Sequence, residues 1–250
     1  MDLGLEGRVA LVTGGSKGIG RGVAAGLAVE GARVAIASRS KERIEAAAAE
    51  IGARGYVFDA DDLDAVPALI DQVEGDLGPI EVYVANTGGP PAGEDLLGFT
   101  REQWEAAHRS LVLTPMAFLE RLVPGMASRG FGRVVAIGSS TVLEPVDNLQ
   151  LSNAHRPGLV AAFKALARRY ASDGITFNHV HPGRIATERL IDTSGSLEAA
   201  EEMARKNIPA GRLGTVEELA AAVVFLCGVP AGYITGTSVL VDGGLTRNLT

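Results

Sequence analysis

The segment from Val9 to Gly20 constrains the fold of this chain more than any other. It reads Val-Ala-Leu-Val-Thr-Gly-Gly-Ser-Lys-Gly-Ile-Gly, a short buried strand that enters a helix through spaced glycines. Gly14 permits a tight turn, Gly18 lets the backbone approach a ligand, and Gly20 allows close helix packing. This pattern predicts a βα unit whose helix N-terminus offers free N–H groups to an anion such as a pyrophosphate.

The rest of the chain repeats this alternation of strand and helix. Short runs rich in Val and Ile are separated by longer Ala-, Leu- and Glu-rich segments of helical period. The predicted strands are Val9–Val12, Val34–Ser38, Gly55–Phe58, Val82–Ala85, Val134–Ile137, Thr176–His181 and Ser238–Val241. Such alternation is typical of a parallel sheet covered by helices on both faces. We therefore predict an α/β fold with a Rossmann-type doubly wound seven-stranded parallel sheet, in a single domain over residues 1–250.

Charge and hydropathy limit the kinds of partner that this chain can have. The formal net charge is −7 and no run of Lys and Arg occurs, which argues against nucleic acid or an anionic membrane surface as the partner. The apolar stretches are far shorter than the roughly 20 residues that span a bilayer. The N-terminus, Met1–Glu6, is acidic where a signal peptide would be basic. We therefore expect a cytoplasmic protein that binds a small-molecule substrate.

Cysteine and histidine usage gives no sign of a metal centre. Cys227 is the single cysteine and lies in an apolar run, so it can form neither an internal disulfide nor a thiolate metal cage. We expect it to serve in core packing. The histidines show no HExxH or comparable spacing, and we therefore predict no metal site.

The end of the second predicted strand, Ser38-Arg39, bears on the choice of dinucleotide. Enzymes that bind NAD usually place an acidic residue here, which holds the 2′-hydroxyl of the adenine ribose. Arg39 stands there instead, and a guanidinium suits a 2′-phosphate. The sequence therefore favours NADP over NAD, with a solvated arginine at a strand end as the alternative interpretation of Arg39.

Several segments together resemble the short-chain dehydrogenase/reductase family. Besides the glycine loop, Asp59-Ala60 resembles the family's adenine contact, Asn86-Thr87-Gly88 its fourth strand end, and residues 178–187 the segment that closes on the nicotinamide. The resemblance covers essentially the whole chain. It implies a nicotinamide dinucleotide at the carboxyl ends of the strands and a homotetramer or dimer. The cofactor contacts that it implies are Gly14, Ser16, Lys17, Gly18, Ile19, Gly20, Ser38, Arg39, Asp59, Ala60, Asn86, Gly88, Pro182, Gly183 and Ile185.

The resemblance also implies catalytic positions, and this chain fills them unusually. The family reduces a carbonyl with Asn, Ser, Tyr and Lys, because the alkoxide that forms needs an acid beside it. Ser139 matches the family serine. By the family's spacing, the Tyr and Lys positions fall on Ser152 and Arg156, and the Asn position falls on Leu111.

These substitutions change what the positions can do. Ser152 is shorter and much less acidic than Tyr, while Arg156 keeps a positive charge but cannot relay a proton. Pro157 leaves two arrangements open: a helix unbroken through Ser152 and Arg156, so that both share one face, or a helix that starts at Pro157. The proton that the missing tyrosine would supply is expected to come from water, His155 or His181. For His155, an exposed or hydrogen-bonded histidine at a helix start is the alternative.

Three functions are compatible with this pattern. The first is an NADP-dependent oxidoreductase that acts on a ketone or secondary alcohol, similar to the 3-oxoacyl reductase branch, with a lid-like insertion at about 187–207 over the ligand. The second is a catalytically silent dinucleotide-binding subunit or sensor. The third is a non-redox elimination or isomerisation in the same pocket, with a histidine as base. We favour the first, because the cofactor segments, Ser139 and the insertion are all retained.

Overall fold

Seven parallel strands form one sheet at the centre of the molecule, which confirms the predicted fold. The computed structural model describes residues 1–248. The strands are β1 (Val9–Thr13), β2 (Arg33–Ser38), β3 (Arg54–Val57), β4 (Ile80–Ala85), β5 (Gly132–Ile137), β6 (Ile175–Pro182) and β7 (Ser238–Val241). They lie in the order β3-β2-β1-β4-β5-β6-β7, and every neighbouring pair is parallel. Each strand agrees with its predicted range to within two residues at either end.

Helices connect the strands and cover both faces of the sheet. They are α1 (Gly18–Val29), α2 (Lys41–Ile51), α3 (Val66–Leu77), α4 (Arg101–His108), α5 (Thr114–Arg129), α6 (Gln150–Tyr170), α7 (Glu188–Ser194), α8 (Leu197–Asn207) and α9 (Val216–Cys227). A π-helical segment, Arg109–Leu113, joins α4 to α5. The insertion predicted at about 187–207 is therefore two short helices, α7 and α8. Within residues 1–248, no helix has the length and apolar character needed to cross a membrane.

The core has two layers because side chains alternate along each strand. Val12 and Val84 face α1, α2 and α9, whereas Leu11 and Tyr83 face α3, α5 and α6. Burial on both faces explains why the central strands β1 and β4 read as nearly continuous apolar runs. Cys227 lies in the first layer, where burial raises the pKa of its thiol to about 12, so this cysteine packs and does not react.

The direction of winding reverses between β1 and β4, which leaves a crevice at the carboxyl ends of the strands. Ligands of doubly wound sheets bind at this switch point. The glycine loop follows β1 and Ser139 follows β5, so both segments open on the same edge. The fold therefore brings the two most informative parts of the sequence together.

Candidate functional site

The loop between β1 and α1 forms a cradle that only glycine can line. Gly14 and Gly18 have positive φ angles of 61° and 53°. A Cβ at Gly20 would lie 2.6 Å from Asn86 Nδ2 and closer still to the Gly14 carbonyl oxygen. Lys17 precedes α1 without a side-chain cap, so the N–H groups of the first turn stay free. This geometry suits an anion at the helix N-terminus.

Asn86, just after β4, holds the cradle in place from the neighbouring strand. Its Nδ2 donates to the carbonyl oxygens of Thr13 and Gly14 at 3.2 and 3.1 Å, and its backbone N–H donates to Thr13 Oγ1 at 3.1 Å. The side-chain NH₂ group of Asn86 therefore donates both of its hydrogen bonds to backbone carbonyl oxygens. Asn86 therefore positions the loop, whereas Gly88, whose Cβ would meet open space, leaves room for a ligand.

The carboxyl end of β2 carries two polar groups without protein partners. Ser38 Oγ is buried and makes no hydrogen bond in the described part of the chain. Arg39 is exposed, and residues 1–248 supply it with neither an ion pair nor a side-chain hydrogen bond. A buried hydroxyl without a partner is unfavourable, and a ligand hydroxyl or phosphate would relieve that cost. The glycine cradle and this orphan hydroxyl both fit a dinucleotide, whose diphosphate and adenine ribose they would hold.

The remaining implied cofactor residues border the same edge. Ala60 accepts a hydrogen bond from Thr114 Oγ1 at 2.5 Å, and the exposed Asp59 accepts one from Asp61 N–H at 3.1 Å. Pro182 ends β6, and a Cβ at Gly183 would lie 2.7 Å from Asp242 Cα. Ser16 lies in the glycine loop, and Ile19 lies in the first turn of α1. The buried Ile185 follows β6.

Helix α6 is continuous through Pro157, so the arrangement in which a helix starts at Pro157 is wrong. As a result Ser152 and Arg156 lie one turn apart on the same face, and Arg156 Nε donates to Ser152 Oγ at 2.9 Å. Arg156 Nη1 donates to the carbonyl oxygen of Ile137, at the end of β5, at 3.0 Å. These two bonds hold the guanidinium over the strand that carries Ser139.

Hydrogen bonds through the Ser152 hydroxyl group and through the hydroxyl and backbone N–H groups of Thr141 connect this arginine to Ser139. Ser152 Oγ lies 3.1 Å from Thr141 Oγ1, and the N–H of Thr141 donates to Ser139 Oγ at 3.3 Å. Because Arg156 donates to Ser152, the hydroxyl proton of Ser152 is free to go to Thr141. Because Ser139 Oγ accepts from Thr141, its own proton is free to point outward. Ser139 is therefore able to donate a hydrogen bond to a ligand.

Arg156 carries a charge that no carboxylate in residues 1–248 balances. Burial, together with the positive charge of Arg189, lowers the pKa of Arg156 to about 10. The group still remains charged at neutral pH. A buried cation beside a hydroxyl donor would stabilise negative charge on an oxygen held at Ser139.

The structure places His155 away from this group. Its ring packs against those of Trp104 and His108 in α4, with centroid separations of 5.2 and 5.7 Å. Its Nδ1 lies 2.8 Å from the carbonyl oxygen of Leu151, one turn back in the same helix. The structure thus brings Ser139, Ser152 and Arg156 together but gives His155 no hydrogen bond to any of them.

His181 and His179 lie side by side beneath α6. Their rings stack at 5.5 Å, and His181 Nε2 lies 2.9 Å from Ser238 Oγ. Burial lowers the pKa of His179 to about 3, with a further contribution from His181. Burial likewise lowers the pKa of His181 to about 4, and the charge of Arg156 adds to this effect. Both rings are therefore neutral at physiological pH.

This pair should make the protein sensitive to acid. Because the pKa values of both histidines are depressed on folding, their contribution to stability is present above pH 6.5 and is lost as the pH falls. We expect the free energy of unfolding to fall by about 1.4 kcal/mol per pH unit for each histidine between pH 6.5 and about 4. Urea denaturation at several pH values measures this dependence. The free energy of unfolding should decline less steeply with falling pH in His179→Phe than in wild type. Equal slopes would contradict the assignment.

The insertion contacts both sides of the crevice, which the sequence did not reveal. Glu188, at the start of α7, pairs with Lys17 at 3.2 Å. Arg189 donates to the carbonyl oxygens of Gly89 and Pro90, each at 3.1 Å. Helix α7 therefore bridges the glycine loop and the loop after β4.

Thr141 and Arg189 are further residues near the site that the sequence did not predict. Thr141 could have been suspected from its place in a run of hydroxyl residues after β5, whereas no sequence signal marks Arg189. Leu111, which occupies the family's Asn position, is buried in the π-helical segment. Such segments often mark functional sites, so the local backbone geometry is present without the polar side chain.

The sheet order, the glycine cradle and the orphan hydroxyl at β2 define a dinucleotide-binding protein of the Rossmann class. A family model described as enoyl-(acyl carrier protein) reductase matches residues 14–246. The 3-oxoacyl-[acyl-carrier-protein] reductase of Haemophilus influenzae is 35% identical over 245 residues, which are 96% of this chain and 99% of that protein. The chain belongs to the short-chain dehydrogenase/reductase family. It is an NAD(P)-dependent oxidoreductase similar to the 3-oxoacyl reductases.

Solved structures agree with this membership. L-sorbose reductase from Gluconobacter frateurii, complexed with NADPH and L-sorbose, has a TM-score of 0.93 and 30% identity, with 100% of both chains covered. An NADPH-bound short chain oxidoreductase from Pseudomonas aeruginosa PAO1, described as containing an atypical catalytic center, has a TM-score of 0.89 and 29% identity, over 96% of this chain and 97% of that one.

Proposed function

We propose that this protein reduces a ketone to a secondary alcohol with NADPH, and that Ser139 holds the substrate oxygen. The observation that carries the proposal is the hydrogen-bond chain from Arg156 through Ser152 and Thr141 to Ser139, which leaves the Ser139 proton free beside a buried cation. The similar reductases described above, one of them complexed with NADPH and a ketose, support the reaction type.

Each residue has a distinct part in this proposal. A bound reduced nicotinamide would supply a hydride to the carbonyl carbon. Ser139 donates a hydrogen bond to the substrate oxygen, and Arg156 stabilises the negative charge that develops there. Ser152 links Arg156 to Thr141 through its hydroxyl group and thereby fixes the position of the guanidinium. Helix α7, tied to Lys17 through Glu188, forms a lid that excludes water from the crevice.

A panel of carbonyl compounds tests the proposal. Purified protein with NADPH and 3-oxoacyl thioesters, ketoses or cyclic ketones should oxidise NADPH with at least one of them, and Ser139→Ala should lower kcat/KM about 10²- to 10³-fold. NADPH binding without turnover on every compound would indicate a silent dinucleotide-binding subunit instead. Conversion of a substrate without NADPH oxidation would indicate a non-redox elimination or isomerisation.

We also propose that NADP is preferred to NAD, because Arg39 is exposed and uncommitted at the end of β2. Arg39→Ala should raise the Kd for NADPH roughly 10- to 100-fold, since it removes charge-assisted hydrogen bonds to the 2′-phosphate. The Kd for NADH should change less than about threefold. Fluorescence titration measures both constants, with Arg33→Ala, at the other end of β2, as the control. Equal losses for the two dinucleotides would contradict the preference.

We further propose a cytoplasmic homotetramer or dimer. Strand β7 lies at the edge of the sheet, and its apolar residues Val239, Leu240 and Val241 are only partly buried in the single chain. A second copy would cover this edge. Light scattering at micromolar concentration should give at least twice the 25.9 kDa mass of one chain.

A further inference from the structure

Two arginines are anchored at the carboxyl ends of neighbouring strands. Arg156, in α6, donates from Nη1 to the carbonyl oxygen of Ile137, the last residue of β5. Arg189, in α7, donates to the carbonyl oxygens of Gly89 and Pro90, in the loop that follows β4. Strands β4 and β5 are paired, so they lie about 5 Å apart. The structure therefore holds both guanidinium groups at the edge of the sheet where the crevice opens.

The two positive charges are close enough to interact. Burial is the larger cause of the low pKa of Arg156, and the charge of Arg189 is the second. The position of Arg189 is well defined, because a Cβ at Gly89 would lie 2.6 Å from its Nη1 and 2.9 Å from its Cζ. Like charges repel, and a partly buried site screens this repulsion less than water does. An anion bound beside both groups would remove that cost.

The protein itself supplies no such anion. No carboxylate within residues 1–248 forms an ion pair with either arginine. Glu188, next to Arg189 in the chain, pairs with Lys17 instead. In α8 of the same insertion, by contrast, Arg205 pairs with Glu201. The pair at the crevice therefore differs from an ordinary surface arginine, which finds its counter-charge one helical turn away.

Both guanidinium groups also keep donors that the protein does not use. A guanidinium has five N–H groups. Arg156 donates one from Nε to Ser152 and one from Nη1 to Ile137, and Arg189 donates one from each Nη to the loop after β4. The remaining N–H groups have no acceptor in the described part of the chain. Arg156 is partly exposed and Arg189 is exposed, so a ligand can reach both. Free guanidinium donors suit the two oxygens of a carboxylate.

We propose that Arg189, assisted by the charge of Arg156, binds a carboxylate of the substrate, so that the ketone reduced here is an oxo acid. The inference rests on the proposed ketone reduction. Arg156 is bonded to Ile137, two residues before Ser139, so the carboxylate site adjoins the place of the ketone oxygen. Acids whose carboxylate lies one or two carbon atoms from the ketone, the 2-oxo and 3-oxo acids, match this arrangement.

The charges balance in such a complex. One carboxylate offsets one of the two positive charges, and the other remains for the negative charge that develops on the ketone oxygen. A neutral ketone would leave the donors of Arg189 without an acceptor, and a site built to hydrogen-bond a group discriminates against analogues that lack it. Because Arg189 belongs to the lid, the carboxylate would also hold α7 against the crevice.

Matched substrates test the inference in the working enzyme. With NADPH, wild type should have a higher kcat/KM for 2-oxobutanoate or acetoacetate than for the methyl ester of the same acid. This preference should fall at least about 10-fold in Arg189→Gln, which loses charge-assisted hydrogen bonds to the carboxylate. Arg205→Gln, in the same insertion, is the matched control and should keep the wild-type preference. Equal losses for acid and ester in Arg189→Gln would show that Arg189 only anchors the lid, and would overturn the inference.

Binding without turnover separates this inference from the proposed function. Oxamate, an unreactive mimic of a 2-oxo acid, should bind to wild type saturated with NADP⁺, and Arg189→Gln should raise its Kd about 10- to 100-fold in isothermal titration. The neutral oxamide should bind weakly to both proteins. If neutral ketones are reduced but neither oxamate nor an oxo acid depends on Arg189, only the inference fails. If no ketone is reduced yet oxamate binds through Arg189, the ketone reduction fails and the carboxylate site stands.

Discussion

Arg156→Met is expected to lower kcat/KM at least roughly 100-fold while it leaves the fold intact. The guanidinium donates hydrogen bonds to Ser152 and to the carbonyl oxygen of Ile137 at the end of β5. It also provides the positive charge on the side of the crevice that carries Ser139. Met fills a similar volume but offers neither charge nor donors. Because Arg156 has no carboxylate partner, replacing it removes a desolvation cost, and the free energy of unfolding should change by less than about 2 kcal/mol.

Arg133 provides the matched control, because it is a buried arginine at the opposite end of β5. Its guanidinium donates to the carbonyl oxygens of Gly228, Gly132 and Gly174. Arg133→Met removes these three buried hydrogen bonds and should destabilise the protein by roughly 3 kcal/mol, with kcat/KM changed less than about threefold. Kinetics and urea denaturation of both variants measure the contrast. Full activity in Arg156→Met would refute the assigned role.

Gly20→Ala is expected to abolish tight dinucleotide binding. The added methyl group would collide with the Gly14 carbonyl and with Asn86 Nδ2, so the loop that cradles the diphosphate must move. We expect the Kd for NADPH to rise more than about 10-fold and the stability to fall by roughly 1–3 kcal/mol. Isothermal titration and thermal unfolding measure the two effects.

Gly75→Ala separates this effect from that of a glycine replacement in general. Gly75 lies within α3, and a Cβ there would meet no atom within 4 Å. This variant should be more stable than wild type by roughly 0.5–1 kcal/mol and should bind NADPH normally. Normal NADPH binding by Gly20→Ala would show that the cofactor lies elsewhere.

The sheet was predictable because both of its faces are buried. The central strands β1, β2 and β4 therefore read as largely apolar runs, and the glycine loop fixes which strand is β1. The course of α6 was not predictable, because a proline inside a helix costs about 3 kcal/mol and usually ends it. Here α6 continues through Pro157 with Leu151, Leu159 and Phe163 buried against the rest of the molecule. Tertiary contacts thus decided a question that local sequence left open.

The site was predictable only where spacing along the chain specifies it. Ser139, Ser152 and Arg156 follow from the family's intervals. The contact of Arg189 with Gly89 joins residues 100 positions apart, and no local pattern encodes it. The same holds for the fit of His181 against Gly138, which depends on the pairing of β5 with β6.

Transfer of a labelled hydride tests the central proposal most directly. Wild-type protein is incubated with NADPH carrying deuterium on the transferred face of C4 and with a ketone that supports NADPH oxidation, such as acetoacetyl-CoA or L-sorbose. Mass spectrometry should find one deuterium on the carbinol carbon of the alcohol product, and Ser139→Ala should form this product about 10²- to 10³-fold more slowly. Product without deuterium, or bound NADPH that never yields an alcohol from any ketone, would contradict reduction by this site.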